Sequence, residues 1–243
     1  TYIFRLPGVF GKWSKPYYNT VVATFIDQLH QGKKLSIDDT SSPLEIIYID
    51  RVIDMFVESL TLKLNSGIQK ITNTYKLTVG ELADYLLDIQ KYDLNGTIPD
   101  QRISLIKDLY STFVSFKSMN HLEKELKVIE DQRGSFTEIL RTLTDGQISV
   151  NITKPGITKG NHYHHHKHEK FIVVSGAALI QLRDKNTNEF KKIKATEKKL
   201  VLIDIPPGTV HNIKNIGKTD LVTVMWANEV FDKDKPDTLY EKV

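Results

Sequence analysis

The 243 residues carry a formal net charge of +3, with 26% charged and 40% hydrophobic residues, which fits a globular chain of one large or two small domains. Cysteine is absent, so disulfides and thiolate metal sites are excluded and any metal must be held by His, Asp or Glu. No apolar run approaches the length of a membrane-spanning helix, no signal-peptide pattern is present, and no Lys/Arg block alternates with aromatics. The expectation is therefore a cytoplasmic protein with no membrane and no nucleic-acid partner.

Taken in chain order, the first half alternates strand-like and helix-like segments. The chain opens at Thr1-Tyr-Ile-Phe-Arg, inside what reads as a buried strand ending at Pro7-Gly8 and without an initiating methionine; a piece of a longer protein is expected. Apolar residues at helical spacing (Val21, Val22, Phe25, Ile26, Leu29) predict a helix over 18–29. A strand is expected over 44–49, then an amphipathic helix from Asp50, as N-cap, to Leu62. Thr78 with Glu81 three residues on is a capping box opening a helix to about Gln90. Residues 91–126 are polar, with a helix candidate at 103–116 and a charged run, Glu123-Lys-Glu-Leu-Lys, that suits a domain junction. The division expected is 1–122 and 123–243.

From Val128 onward, short runs rich in Val, Ile and Thr alternate with Gly, Pro, Asn and Asp turns. Strands are expected over 147–152, 169–174, 178–183, 199–205, 211–215 and 221–227, a pattern of an all-β barrel or double-sheet roll. The run Lys191-Lys-Ile-Lys reads as a solvated strand end or turn.

Chemistry concentrates in this half. Six of the eight histidines lie from His162 to His211. The first segment, from Gly156 to Gly176, has the pattern G-x5-H-x-H-x4-E-x6-G; the second, from Pro206 to Asn215, has P-x-G-x2-H-x3-N. Residues i and i+2 of a strand share a face, so His162 and His164 can both point inward. With Glu169 and His211 they offer three imidazoles and one carboxylate, a set that suits Zn, Fe, Mn, Ni or Cu. His165, His166 and His168 read as surface or supporting residues.

The two segments resemble the signature motifs of the cupin superfamily, except that Leu200 stands where a glycine is expected. The resemblance implies a double-stranded β-helix jelly roll with a divalent metal inside it, zinc foremost, on His162, His164, Glu169 and His211. Asp131-Gln-Arg133-Gly134-Ser-Phe136-Thr-Glu138 resembles the opening strand of cupin-fold nucleotide-sugar 3- or 3,5-epimerases, which implies that Arg133 helps hold a sugar nucleotide. In the first half, Arg5-Leu-Pro7-Gly-Val-Phe10-Gly11 and Ile46-Ile-Tyr48-Ile49-Asp50-Arg-Val52 resemble segments of extended short-chain dehydrogenases, which implies substrate contacts at Lys15 and Asn19. The first half has neither a G-x-x-G-x-x-G loop nor a tyrosine with lysine four residues on. It is thus expected to be the substrate-side α+β remnant of such a dehydrogenase, unable by itself to transfer hydride.

In this order the segments resemble the bifunctional nucleotide-sugar epimerase/reductases of capsule and O-antigen synthesis, of the N-acetyl-L-fucosamine pathway. The resemblance implies C3 epimerisation of a UDP-linked 2-acetamido-2,6-dideoxy-4-hexulose by the cupin, NADPH reduction at C4 in a full-length protein, and a homodimer. Epimerisation needs a base and an acid beside the metal; the candidates are His166 by strand parity, Lys170 beside a ligand, and Asp204 before Pro206. Two other readings stay open: an Fe(II) cupin dioxygenase, and a non-enzymatic sugar-binding or dimerisation module with a structural metal.

Overall fold

Helical periodicity is confined to the first half of the chain, and the computed structural model, which describes residues 1–61, 65–232 and 234–243, divides accordingly. Thr1–Lys124 and Glu125–Val243 form two compact units.

The first unit runs β1 (Tyr2–Phe4), β2 (Gly8–Phe10), α1 (Val21–His30), β3 (Pro43–Tyr48), α2 (Ile49–Thr61), β4 (Gly67–Gln69), β5 (Tyr75–Thr78), α3 (Val79–Leu94), β6 (Thr97–Ile98) and α4 (Ser104–Ser115). Strand β3 pairs parallel with β2 and antiparallel with β5, while β1 pairs parallel with β4. Phe10, Phe25, Ile26, Leu82, Leu86 and Phe113 pack between this sheet and helices α1, α3 and α4. Each such side chain contributes about 1.5–3 kcal/mol by leaving water.

Local chemistry sets the helix starts. The Thr20 hydroxyl accepts the Ala23 N–H at 3.4 Å, so α1 begins at Val21, three residues later than its apolar spacing suggests. Tyr17 and Asn19 just before it have φ of 60° and 51°, which no helix continues through. The capping box forms: Glu81 N–H donates to Thr78 Oγ1 at 3.2 Å and Thr78 N–H to Glu81 Oε2 at 2.7 Å. Helix α3 then runs to Leu94, beyond the expected end.

Two expectations change. Asp50 is not an N-cap; α2 starts at Ile49 and Asp50 lies in its first turn, where a carboxylate still faces the positive end of the helix dipole. The expected last residue of that helix, Leu62, lies outside the described residues. Strand β1 is not buried: Tyr2 and Ile3 are exposed, because among the described residues β1 pairs with the short β4 alone.

The second unit contains β7 (Val128–Asp131), β8 (Gly134–Thr142), β9 (Gln147–Thr153), β10 (Thr158–Tyr163), β11 (Glu169–Ser175), β12 (Ala177–Asp184), β13 (Phe190–Thr196), β14 (Ile203–Ile205), β15 (Thr209–Asn215), β16 (Leu221–Ala227) and β17 (Leu239–Tyr240). One sheet has the order β13-β12-β15-β10-β17; the other has β14-β11-β16-β9-β8, with β7 returning on β8 as a hairpin. These pairings are antiparallel. Phe171, Val173 and Leu221 of one sheet meet Ala178, Ile180 and Ile213 of the other in a shared core. This is a cupin-like double-sheet roll.

The strand expected over 199–205 shrinks to β14, and Leu200 and Leu202 are exposed. The Lys191-Lys-Ile-Lys run is neither strand end nor turn. It lies within β13, an edge strand, where exposed lysines discourage pairing with another chain.

Candidate metal centre

Strand β10 carries His162 opposite His211 of β15. The register shifts between Gly160 and His162, leaving Asn161 as a bulge residue with φ 61°. That extra residue sets which face His162 presents. Gly160 is required beside it: a Cβ there would sit 2.9 Å from the His211 carbonyl oxygen. Glu169 opens β11 with its side chain on the same buried face as Phe171 and Val173. His164 follows the end of β10 and is also buried.

Ligand-type atoms of His162, His164, Glu169 and His211 all lie within 4.8 Å of one another. The Glu169 Oε2 is 3.4 Å from His164 Nε2 and 3.3 Å from His211 Nε2. These three atoms are buried and, among the described residues, make no hydrogen bond, meeting only one another at ion-pair distance. Burying such groups unpaired is costly. A divalent cation at their point of convergence removes that cost, so the donor set fits a metal. The opposite ring nitrogens are engaged: His211 Nδ1 donates to the Thr209 carbonyl at 3.0 Å and His164 Nδ1 to the Asp237 carbonyl. Each contact places the proton on Nδ1 and leaves the Nε2 lone pair for a metal.

The electrostatics agree. Burial, then the charges of His211 and His164, push the His162 pKa down to about 4, so its ring is neutral at physiological pH. Burial would push Glu169 up, but His164 and His211 outweigh it and hold the carboxyl below its ordinary range. For His164, burial opposes charging, yet Glu169 and the Asp237 carbonyl win and raise its pKa.

The three base candidates do not join this cluster. His166 is exposed and its N–H donates to Asp237 Oδ2 at 2.7 Å; β10 ends at Tyr163, so strand parity does not extend to residue 166. Lys170 and Asp204 are cross-strand neighbours and form an ion pair with each other, their side chains 38% and 65% exposed. Alternation from Glu169 sends Lys170 to the outer face of its sheet. Arg133 sits in the β7–β8 turn, paired with Asp131 at 2.6 Å and 61% exposed. Lys15 and Asn19 are exposed in the first unit, the Lys15 ammonium 5.8 Å from the Tyr18 ring centre. His165 is exposed, and His168 stands edge-on to Trp226.

Sequence reasoning missed several residues. Lys167, in the histidine run, is buried with its ammonium 5.6 Å from the Phe231 ring centre. On β9 the buried residues are Gln147, Ser149, Asn151 and Thr153, while Ile148, Val150 and Ile152 are half-buried. The alternation was legible; the polar identity of the inner face was not. Lys159 reaches into that face, donating to Asn151 Oδ1 at 2.7 Å and the Ile152 carbonyl at 2.8 Å. Asp237 lies in Lys-Pro-Asp, which reads as solvated loop and carries no signal of its contact with His164.

Fold and site together define the class: a two-unit protein whose cupin-like roll encloses a His-and-carboxylate centre of metal-binding type. Residues 129–239 match the polysaccharide biosynthesis C-terminal domain. The whole chain superposes on a crystal structure of the capsular polysaccharide assembling protein CapF from Staphylococcus aureus, with TM-score 0.92, 41% identity and coverage of 100% of this chain and 71% of that one. The chain belongs to the family of CapF. It is also 38% identical, over 98% of its length and 64% of the relative's, to a UDP-2-acetamido-2,6-beta-L-arabino-hexul-4-ose reductase of Pseudomonas aeruginosa. A spore coat polysaccharide biosynthesis protein, SpsL of Bacillus subtilis, is 28% identical over 47% of this chain and 82% of its own. The chain thus spans about two thirds of the Pseudomonas relative.

Proposed function

We propose that the roll is a divalent-metal site, zinc foremost, that epimerises C3 of a UDP-linked 2-acetamido-2,6-dideoxy-4-hexulose in capsule-type polysaccharide biosynthesis. The observation that carries the metal is the set of three buried atoms on His164, Glu169 and His211 that converge on one another and make no hydrogen bond among the described residues. The substrate class is supported by the Pseudomonas relative, whose name specifies reduction of such a UDP-hexulose and which is similar along nearly the whole chain.

A bound divalent ion would supply Lewis-acid polarisation of the C4 ketone oxygen, which acidifies the neighbouring C3 proton. The chain's own part is to hold the four donors in place. His162 stays neutral and able to coordinate, and Phe171, packed 5.9 Å from His211 between ring centres, keeps that side of the cluster apolar. His166 is held at the surface by Asp237, and Lys170 and Asp204 pair on the outer face, so none of the three is proposed as base or acid. Arg133 remains the candidate contact to the sugar nucleotide in this unit.

The first unit is proposed to be the substrate-side portion of an extended short-chain dehydrogenase, ending near residue 122, with Lys15 and Asn19 as sugar-nucleotide contacts. In a full-length protein it would act with NADPH at C4, in a cytoplasmic homodimer. Among the described residues no helix is long and apolar enough to cross a membrane.

The test is proton exchange in deuterated water with the UDP-4-keto sugar. The metal-loaded protein is expected to place deuterium at C3, and chelation to abolish it until metal is restored. Exchange that persists in the metal-free protein contradicts the reading. Oxygen consumption with Fe(II) in place of exchange would favour a dioxygenase.

A further inference from the structure

We propose that the C-terminal strap Asp237–Tyr240 is a working part of the metal centre, with Asp237 as the residue that positions His164. This rests on the metal reading above. The backbone carbonyl of Asp237 accepts the hydrogen bond from His164 Nδ1 across 73 residues of sequence. Its carboxylate accepts three successive backbone N–H groups: His165 on Oδ1 at 2.8 Å, and His166 and Lys167 on Oδ2 at 2.7 and 2.9 Å. Those three residues lie between the ligands His164 and Glu169.

One residue thus does two things. It fixes the proton of His164 on the nitrogen away from the site, and it folds the connection that sets where His164 stands relative to Glu169. A neutral imidazole coordinates through one nitrogen only when the other carries the proton, so the carbonyl contact selects the competent tautomer. Three converging N–H groups form a cradle that a carboxylate fills and an apolar side chain does not. The rest of the strap continues the contact: β17 pairs with β10 at His162↔Tyr240 and Tyr163↔Leu239, bracing the strand that carries His162. Asp237 is not itself a ligand. It lies outside the four-residue cluster, and both its carboxylate oxygens are occupied by N–H donors.

The experiment compares wild type, Asp237→Ala, Asp237→Asn and the outer-face control Asp204→Asn. Three readouts are taken: Co2+ affinity by chelator competition, the visible spectrum of the Co2+ protein, and the His164 tautomer of the metal-free protein by 15N NMR at alkaline pH. Asp237→Ala keeps that carbonyl but removes the three N–H contacts that hold it against His164; it is expected to weaken Co2+ binding about 10- to 100-fold, to change the Co2+ spectrum and, as the carbonyl moves off His164, to erode the Nδ1–H tautomer. Asp204→Asn should match wild type. Should Asp237→Ala fail to fold, Asp237→Asn, which keeps the shape but cannot accept three N–H groups as a carboxylate does, carries the comparison. A merely structural role would lower the melting temperature yet leave the affinity, spectrum and tautomer of the folded variant as in wild type, and that result overturns the proposal. If wild type takes up no Co2+, the metal reading falls, while a tautomer unchanged in Asp237→Ala or Asp237→Asn still refutes the positioning role.

Discussion

Replacing His164 by alanine tests how the four donors share the work. His164 is 3% exposed, so its removal leaves an enclosed gap rather than a place that bulk water fills freely. Binding of zinc by a full set of protein ligands is worth about 10–16 kcal/mol. Divided over four donors, this is about 2.5–4 kcal/mol each, or about a 60- to 700-fold loss of affinity at 1.4 kcal/mol per decade. The Glu169 carboxyl also loses one of the two imidazoles that hold it ionised, which adds to the loss. The assay is competition with a chromophoric chelator, on protein shown to be folded by circular dichroism and its melting curve. His168→Ala is the control, since His168 lies beside Trp226. Equal affinity in His164→Ala and wild type, or an equal loss in His168→Ala, refutes the assignment of donors.

Replacing the outer pair, Lys170→Met with Asp204→Asn, should cost no more than about 1 kcal/mol in urea denaturation, as for other exposed ion pairs. It should leave metal affinity unchanged; a tenfold loss of affinity would bring the pair back into the site. The metal-free protein should lose stability as pH falls from about 6.5 to about 4, because the unfolded chain protonates His162 near the upper value and the folded one only near the lower. Glu169, whose folded pKa lies below its usual value, keeps its contribution above about pH 4.5 and loses it only further into acid; His164, whose pKa is raised, contributes fully below about pH 6.5 and loses that contribution as pH rises through its folded value. Urea titrations across this range check the window, and stability that rises toward acid between these limits contradicts it. Gly146→Ala should impair folding of the roll, because φ there is 79° and a Cβ would lie 1.8 Å from the Ala227 carbonyl oxygen; a wild-type melting temperature would show that the β8–β9 turn relaxes more easily than its geometry implies.

The legible parts of the chain were those where a short-range rule decides. The Thr78 and Glu81 capping box needs only residues three apart, and it forms. Alternation in 147–152, 169–174 and 221–227 located strands within a residue or two, since period-2 patterning is a property of the strand itself. The four metal-type donors were legible because their spacing places them in two recognisable segments. What failed depended on neighbours distant in sequence. Strand parity points His166 inward if β10 continues, yet the segment leaves the strand at Tyr163 and its next backbone N–H groups bind Asp237. Strand alternation already turns Lys170 outward, and the register of β11 with β14 then gives it Asp204 as its partner. The buried polar row of β9 reads as a solvent face until the opposite sheet is in place. Asp237 carries no local pattern at all, since its role comes from a carbonyl and a carboxylate meeting a histidine 73 residues away.

The most direct measurement of the central claim is X-ray absorption fine structure on the zinc-loaded protein, with zinc content determined on the same sample for wild type and His211→Ala. One ion per chain is expected, bound by three imidazole nitrogens and one carboxylate oxygen at about 2.0–2.2 Å, with loss of that ion in His211→Ala. An all-imidazole shell that survives His211→Ala would place the metal on the exposed His165 to His168 run and contradict a centre inside the roll.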